Sequence, residues 1–411
     1  MERNFFPPTD LQNNVYNSPL PTPDSGWPRI LYVATVSNSL WGFLGPLAAH
    51  FRSLGWRVDG MARGATDCQR CRPMFDHLWE APWSRNPLDA RNMLVAPNFI
   101  RDIVGAERYH IVHVHTPVAA FVTRFALRHR RPASPAVIYT AHGFHFHPLG
   151  NPVRNTIFRS LEKIAGRWTD HLVVINQTDY RAALAAHITP SANVWHIAGI
   201  GIDTTAYSAG NVSARDVARV REELGARLTD QVLLMLAEFN PGKRHSDALH
   251  AFAAARRPGV HLALAGIGPT LEPMRVLASK LGIADQVRFL GMRHDVPALI
   301  RASSAVLLPS EREGLSRSVM EALSLEVPVL GSRIRGIEDL VGDDAGILFR
   351  PGDIPAFSRA IGWILDHPEE ARRMGHRGRE RMKFFELERV RQAHRKLYNL
   401  ALETSCDPSE S

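Results

Sequence analysis

Short apolar runs alternate with amphipathic segments along almost the whole chain, and this alternation leaves few folds open. RILYVATV is followed by LWGFLGPLAAHFRSLGW, YHIVHVH by PVAAFVTRFALRHR, then comes AVIYTAHG, and HLVVIN is followed by QTDYRAALAAH. Runs this apolar suit strands covered on both faces, and the segments between them suit crossover helices, so the pattern predicts a parallel, doubly wound sheet. The connector GIGIDTTAYSAGN, residues 199–211, is rich in Gly, Ser and Thr and suits a linker better than a helix. Beyond it the alternation restarts with QVLLMLAEF, VHLALAGIG, QVRFLG, SAVLLPS, VPVLGS and AGILFRPG. A chain of 411 residues, 45% of them hydrophobic, can bury two such cores, whereas one domain of that size would be unusually large. The expected organisation is an α/β protein with a flexible tail at 1–28, doubly wound domains at 29–205 and 206–385, and an Arg-rich helix with a short tail at 386–411.

Open parallel sheets bind ligands in the crevice beyond the carboxyl ends of their strands. The stretch EREGLSRSVMEALSLEVPVLGSRIRGIEDLV, residues 311–341, follows the run SAVLLPS and places Glu313 and Glu321 with seven residues between them. A helix over roughly Ser316 to Leu325 would point its free amides and positive dipole end into that crevice. An anionic diphosphate fits that field, and Glu321 could accept hydrogen bonds from the vicinal hydroxyls of a ribose. On spacing alone, Glu313 as a helix cap and Glu321 as a solvated residue explain the pair equally well.

With EGLSRSVMEAL, PVLGSRIRGIEDLV and AGILFRPGD in order, joined by YTAHGFHF, GIGIDT, LAGIGP, VRFLG and LLPSEREG, the chain resembles the retaining glycosyltransferases of family 4 from Arg29 to Leu400. Their GT-B fold sets two doubly wound domains face to face, and the resemblance is strongest to the branch acting in bacterial capsule and exopolysaccharide assembly. It implies a donor site in the second domain, with Glu313 on the transferred sugar, Glu321 on the nucleotide ribose, and Lys243 with Arg244 beside the diphosphate. The amides of Gly314, Leu315 and Ser316 would stabilise charge on that leaving group. His142 would orient the reactants, His115 and His145 would lie on the acceptor side, and the final helix would cross back to the first domain. The implied donor is a nucleotide-diphosphate sugar, with uridine weighted by family. The implied acceptor is a saccharide or polyprenyl-diphosphate-linked sugar, and neither a metal nor another cofactor is expected. Two positions depart from the family pattern. Ala237 and Glu238 stand where relatives have Gly-Arg, removing the usual diphosphate arginine, and Glu326 replaces the glycine that ends the helix. An epimerase or hydrolase of the same fold, or a non-catalytic scaffold, remains an alternative.

The remaining features are weaker. His113 with His115, or His145 with His147, share a strand face but lack evident third and fourth metal ligands. Cys68 and Cys71 form a lone CxxC, read as incidental thiols because zinc needs four ligands and a redox motif expects a helix start after a strand, and three cysteines in so long a chain point to a reducing cytoplasm. The formal charge of +8 suggests an anionic partner. No basic patch interleaved with aromatics supports nucleic acid. With no stretch apolar enough to span a bilayer, membrane contact should be peripheral, on the inner face of the cytoplasmic membrane. TRFALRHRRP, with Arg124, Arg128, Arg130 and Arg131, offers either a lipid-facing basic surface or a plain solvated helix face.

Overall fold

A computed structural model describes residues 27–129, 134–147 and 150–406. Positions 1–26 of the expected tail lie outside the described residues, whereas Trp27 lies against Gly55 and the carbonyl of Pro28 accepts from the Arg57 amide at 3.0 Å.

The first sheet contains β1 (Arg29–Val36), β2 (Arg57–Arg63), β3 (Leu78–Glu80), β4 (Ile111–His115), β5 (Ala136–Ala141), β6 (His171–Val174) and β7 (Val194–His196). Its order is β3-β2-β1-β4-β5-β6-β7, with every pair parallel. The second contains β8 (Gln231–Leu236), β9 (Val260–Ala265), β10 (Val287–Gly291), β11 (Ala305–Leu308), β12 (Val329–Ser332) and β13 (Gly346–Phe349). These parallel strands run β10-β9-β8-β11-β12-β13. Strand order therefore reverses between β1 and β4 and again between β8 and β11, and a crevice opens at the carboxyl ends of each such pair.

Apolar clusters cover both faces of each sheet. Part of the first domain's core comes from the far end of the chain: Val390, Leu397, Tyr398, Ala401 and Leu402 of the helix Leu387–Cys406 pack with Ile30, Tyr32 and Ile111. Alternation along β4 turns His113 and His115 towards this helix. His113 Nδ1 pairs with Tyr398 Oη at 2.6 Å and its Nε2 with Thr140 Oγ1 at 2.7 Å, while Tyr398 Oη also meets Tyr32 Oη at 3.0 Å. The chain crosses between domains at two adjacent points. Ile202 and Glu386 form a parallel bridge, and Arg379 binds the carbonyls of Thr204 at 2.7 Å, Tyr207 at 2.8 Å and Ser324 at 2.9 Å.

Three readings are corrected or sharpened. Cys68 and Cys71 are joined by a disulfide rather than standing as incidental thiols, because the turn that closes through Cys71 N and Cys68 O at 3.0 Å brings their Cα atoms to 5.3 Å. Arg124 is no part of a lipid-facing surface. It is buried, binds Glu162 Oε2 at 3.0 Å and lies over the Tyr139 ring at 4.0 Å. Arg130 and Arg131 lie outside the described residues. Glu326 keeps the left-handed backbone, φ +61°, although it is not glycine. Its carbonyl packs so tightly on Gly375 that a Cβ there would overlap it, so the geometry persists at a cost of about 1 kcal/mol.

Candidate active site

The helix after β11 runs over Arg317–Ser324 with Ser316 at its N-cap, and no side chain caps it. Its leading amides and dipole therefore face a cavity of about 420 Å³ between the domains. Lys243 arrives from the other side of the switch point. It ends a tight turn after β8, Pro241–Lys243, in which the Asn240 side chain accepts from the Lys243 amide at 3.2 Å. The Glu311 amide donates to Gly242 O at 2.8 Å and ties the two loops together. Lys243 Nζ then lies 2.6 Å from Glu313 Oε1. This places a cation and a carboxylate at one wall of the cavity.

Glu321 is 7% exposed and lines the same cavity. Arg317 Nε donates to its Oε1 at 2.8 Å. Burial raises its pKa above the ordinary carboxylate value, while Arg317 and Tyr207 pull it back. His142 comes from the first domain at the end of β5. Its ring is held at about 4 by loss of solvent, with the positive field of His394 second, so it is neutral near pH 7. His142 Nε2 and His115 Nδ1 share one hydrogen bond of 3.1 Å, and His115 itself is buried behind it.

Two close approaches need glycine here, Gly314 between the domains and Gly336 within the second. A Cβ at Gly314 would overlap the His142 carbonyl, and one at Gly336, where φ is +78°, would overlap the Gly314 carbonyl. Gly336→Ala is therefore expected to destabilise the protein by about 1–3 kcal/mol, seen as a lowered Tm in calorimetry. A wild-type Tm would show that the two loops separate at no cost.

Glu313, Glu321, Lys243, Gly314, Leu315, Ser316 and His142 all line the one cavity. His145 borders a second opening of about 300 Å³, with Arg312, Lys243 and Arg335. Arg244 is not brought in: its Nε binds Asp247 Oδ2 at 2.6 Å and its guanidinium approaches Gly352. Glu238 is exposed and accepts from Asn240 Nδ2 at 3.1 Å. Sequence reasoning missed Arg317, four residues before Glu321, although that helical spacing was a visible signal. It also missed Phe43, which lines the cavity 6.0 Å from the His142 ring, and the pair Arg335 Nη1 and Asp179 Oδ1, which meet across the cleft at 2.5 Å. Among the described residues, no group of three or more His, Cys, Asp or Glu could hold a metal ion.

Comparison with known proteins fits this geometry. Residues 43–197 match the Glycosyl transferase 4-like domain, and residues 216–381 match Glycosyl transferases group 1. The chain is 33% identical over 356 residues to the putative glycosyltransferase EpsD of Bacillus subtilis (strain 168), covering 86% of this chain and 91% of that protein. It is 25% identical over 274 residues to the UDP-Gal:alpha-D-GlcNAc-diphosphoundecaprenol alpha-1,3-galactosyltransferase of Escherichia coli, covering 64% and 68%. The crystal structure of Anabaena Alr3699/HepE in complex with UDP and glucose has the same fold, with a TM-score of 0.76 over 90% of this chain and 99% of that one at 18% identity. Two facing doubly wound domains, matched in turn by both domain descriptions and by a relative along nearly its full length, place this chain in the group 1 glycosyltransferase family, on the GT-B fold.

Proposed function

We propose that this glycosyltransferase moves a sugar, with retention and without a metal, from a UDP-sugar to a saccharide or lipid-diphosphate-linked acceptor during assembly of a bacterial surface polysaccharide. The observation that carries this reading is the buried Glu321 beside an uncapped helix start, with Lys243 and Glu313 across the same cavity. A carboxylate has about four lone-pair positions, so with Arg317 and Tyr207 both bonded to it Glu321 keeps room for both ribose hydroxyls. The diphosphate would lie over the amides of Gly314 to Ser316 and share Lys243 with Glu313. As the bond from the anomeric carbon to the diphosphate breaks, its electron pair passes to the leaving phosphate oxygen. The acceptor hydroxyl attacks from the same face and gives its proton to that phosphate. Amides and Lys243 favour the resulting charge more than the ground state. Neutral His142 can orient a hydroxyl without competing as a cation. Arg312, exposed at the second opening, is placed to supply the positive charge that the relatives' arginine provides and Glu238 does not. Uridine and the lipid-linked acceptor are supported by the names of the Escherichia coli and Anabaena proteins.

Thermal unfolding against UDP-, GDP-, ADP- and dTDP-sugars tests the donor site. A donor at a hundredfold excess over its Kd should add about 2.7 kcal/mol, a shift of several degrees, and Glu321→Gln should lose most of it. If no nucleotide sugar stabilises the wild type at millimolar concentration, the donor assignment fails.

A further inference from the structure

The helix Pro152–Gly166 belongs to neither wall of the donor cavity, and its outer face has an unusual composition. Val153, Ile157, Leu161 and Ile164 are 69, 53, 40 and 45% exposed. Their spacing of four, four and three keeps them on one strip, about 16 Å long at 1.5 Å per residue. Beside this strip run Lys163 and Arg167, four residues apart and exposed, and Arg154 lies on its other flank, whereas Arg159 turns away to the side of Phe146 and Asn155. The one carboxylate of the helix, Glu162, faces inwards and binds both Arg124 and Tyr139 Oη. The outer face thus combines apolar and cationic rows without a single acidic group.

Lys163 and Arg167 also line a groove of about 570 Å³ with His187 and Thr189. Thr189 is 7% exposed, and its hydroxyl has no hydrogen-bond partner among the described residues.

We propose that this helix and its groove form a docking face for an anionic lipid bilayer. The apolar row enters the boundary between headgroups and acyl chains, the basic row meets lipid phosphates, and the groove seats one headgroup against Lys163, Arg167 and Thr189. Two copies of the chain pairing through this face would set the same basic rows against each other, which disfavours self-association. The helix follows the loop that carries His142 and His145, so docking holds the rim of the cleft at the bilayer surface, where a lipid-linked acceptor resides. The inference rests on the proposed acceptor class and extends it to a particular surface.

Flotation of the full chain with vesicles of phosphatidylcholine, alone or with about one-third phosphatidylglycerol, tests it. The wild type is expected to float with the anionic vesicles in low salt and to be released in high salt. Arg154→Ser/Lys163→Ser/Arg167→Ser should weaken binding roughly a hundredfold, and Ile157→Asp/Leu161→Asp should abolish it. Both act at exposed positions, so an unchanged Tm serves as the folding control. Failure of the wild type to bind anionic vesicles, or binding that survives both variants, overturns the proposal. So does a wild-type dimer that Ile157→Asp/Leu161→Asp converts to monomer without vesicle binding, which would make this face a self-interface. Stabilisation by nucleotide sugar, measured on the same samples without vesicles, reports separately on the donor site.

Discussion

Replacing Lys243 by methionine is expected to slow release of nucleotide diphosphate from the donor by about 10²–10³-fold, with a smaller loss of stability. Its ammonium is the cation paired with Glu313 in the cavity, and in the proposed reaction charge accumulates on the leaving group only as the glycosidic bond breaks. A preorganised donor aimed at such charge is worth about 3–4 kcal/mol in the transition state. The ground-state effect is smaller: Lys243 is about a quarter exposed, but Glu313 is only 10% exposed and loses its cation, so the variant should also lose about 1–3 kcal/mol of stability. Rates measured well below the Tm of the variant separate the two effects. Lys243→Arg keeps the charge in a different shape and should recover part of the loss. Turnover of Lys243→Met at the wild-type rate would remove this lysine from the leaving-group role and shift attention to Arg312.

The fold was legible because both periodicities were present in the chain. Apolar runs of strand length alternate with amphipathic segments, and the break at 199–211 falls where the chain crosses between domains. Much of the cavity was legible for the same reason: residues that follow a strand of a parallel sheet lie at its carboxyl edge, and Lys243 and Glu313 follow the two strands flanking a switch point. Contacts made only by docking distant elements were hidden. Nothing near Asp179 in sequence announces Arg335, and nothing near His113 announces Tyr398. Arg124 and Arg244 show the converse limit. Local charge suggested a surface and a phosphate site, but the helix face decided the first and the Asp247 partner the second. The strip on Pro152–Gly166 was not legible because apolar residues at helical spacing do not say which face of a helix meets the core, and here the core side is taken by Phe158, Glu162 and Ala165.

Stability is expected to fall steeply as pH drops from about 6.5 towards 4, well before most carboxylates are protonated. Four histidines from three segments meet under the cleft: ring centroids lie 4.1 Å apart for His113 and His115, 5.3 Å for His115 and His142, and 5.8 Å for His113 and His394. Loss of solvent lowers all four, His142 and His394 to about 4 and His113 and His115 well below the ordinary imidazole value. Because each folded value lies below the unfolded value near 6.5, the unfolded chain binds more protons in this window. Stability is then complete above pH 6.5 and is lost as pH falls towards the folded value. A shift from 6.5 to about 4 amounts to about 3 kcal/mol for one such ring at pH 4. Two or more together approach the whole stability of a typical domain. Urea unfolding across this range should show a slope of more than one proton, and His394→Met should reduce it, since His394 Nδ1 bonds to Val390 O of its own helix, at 2.9 Å. Equal unfolding free energies at pH 7 and pH 5 would mean that the cluster opens to water and takes up protons without unfolding. The neutral state assigned to His142 at the cleft would then fall with it.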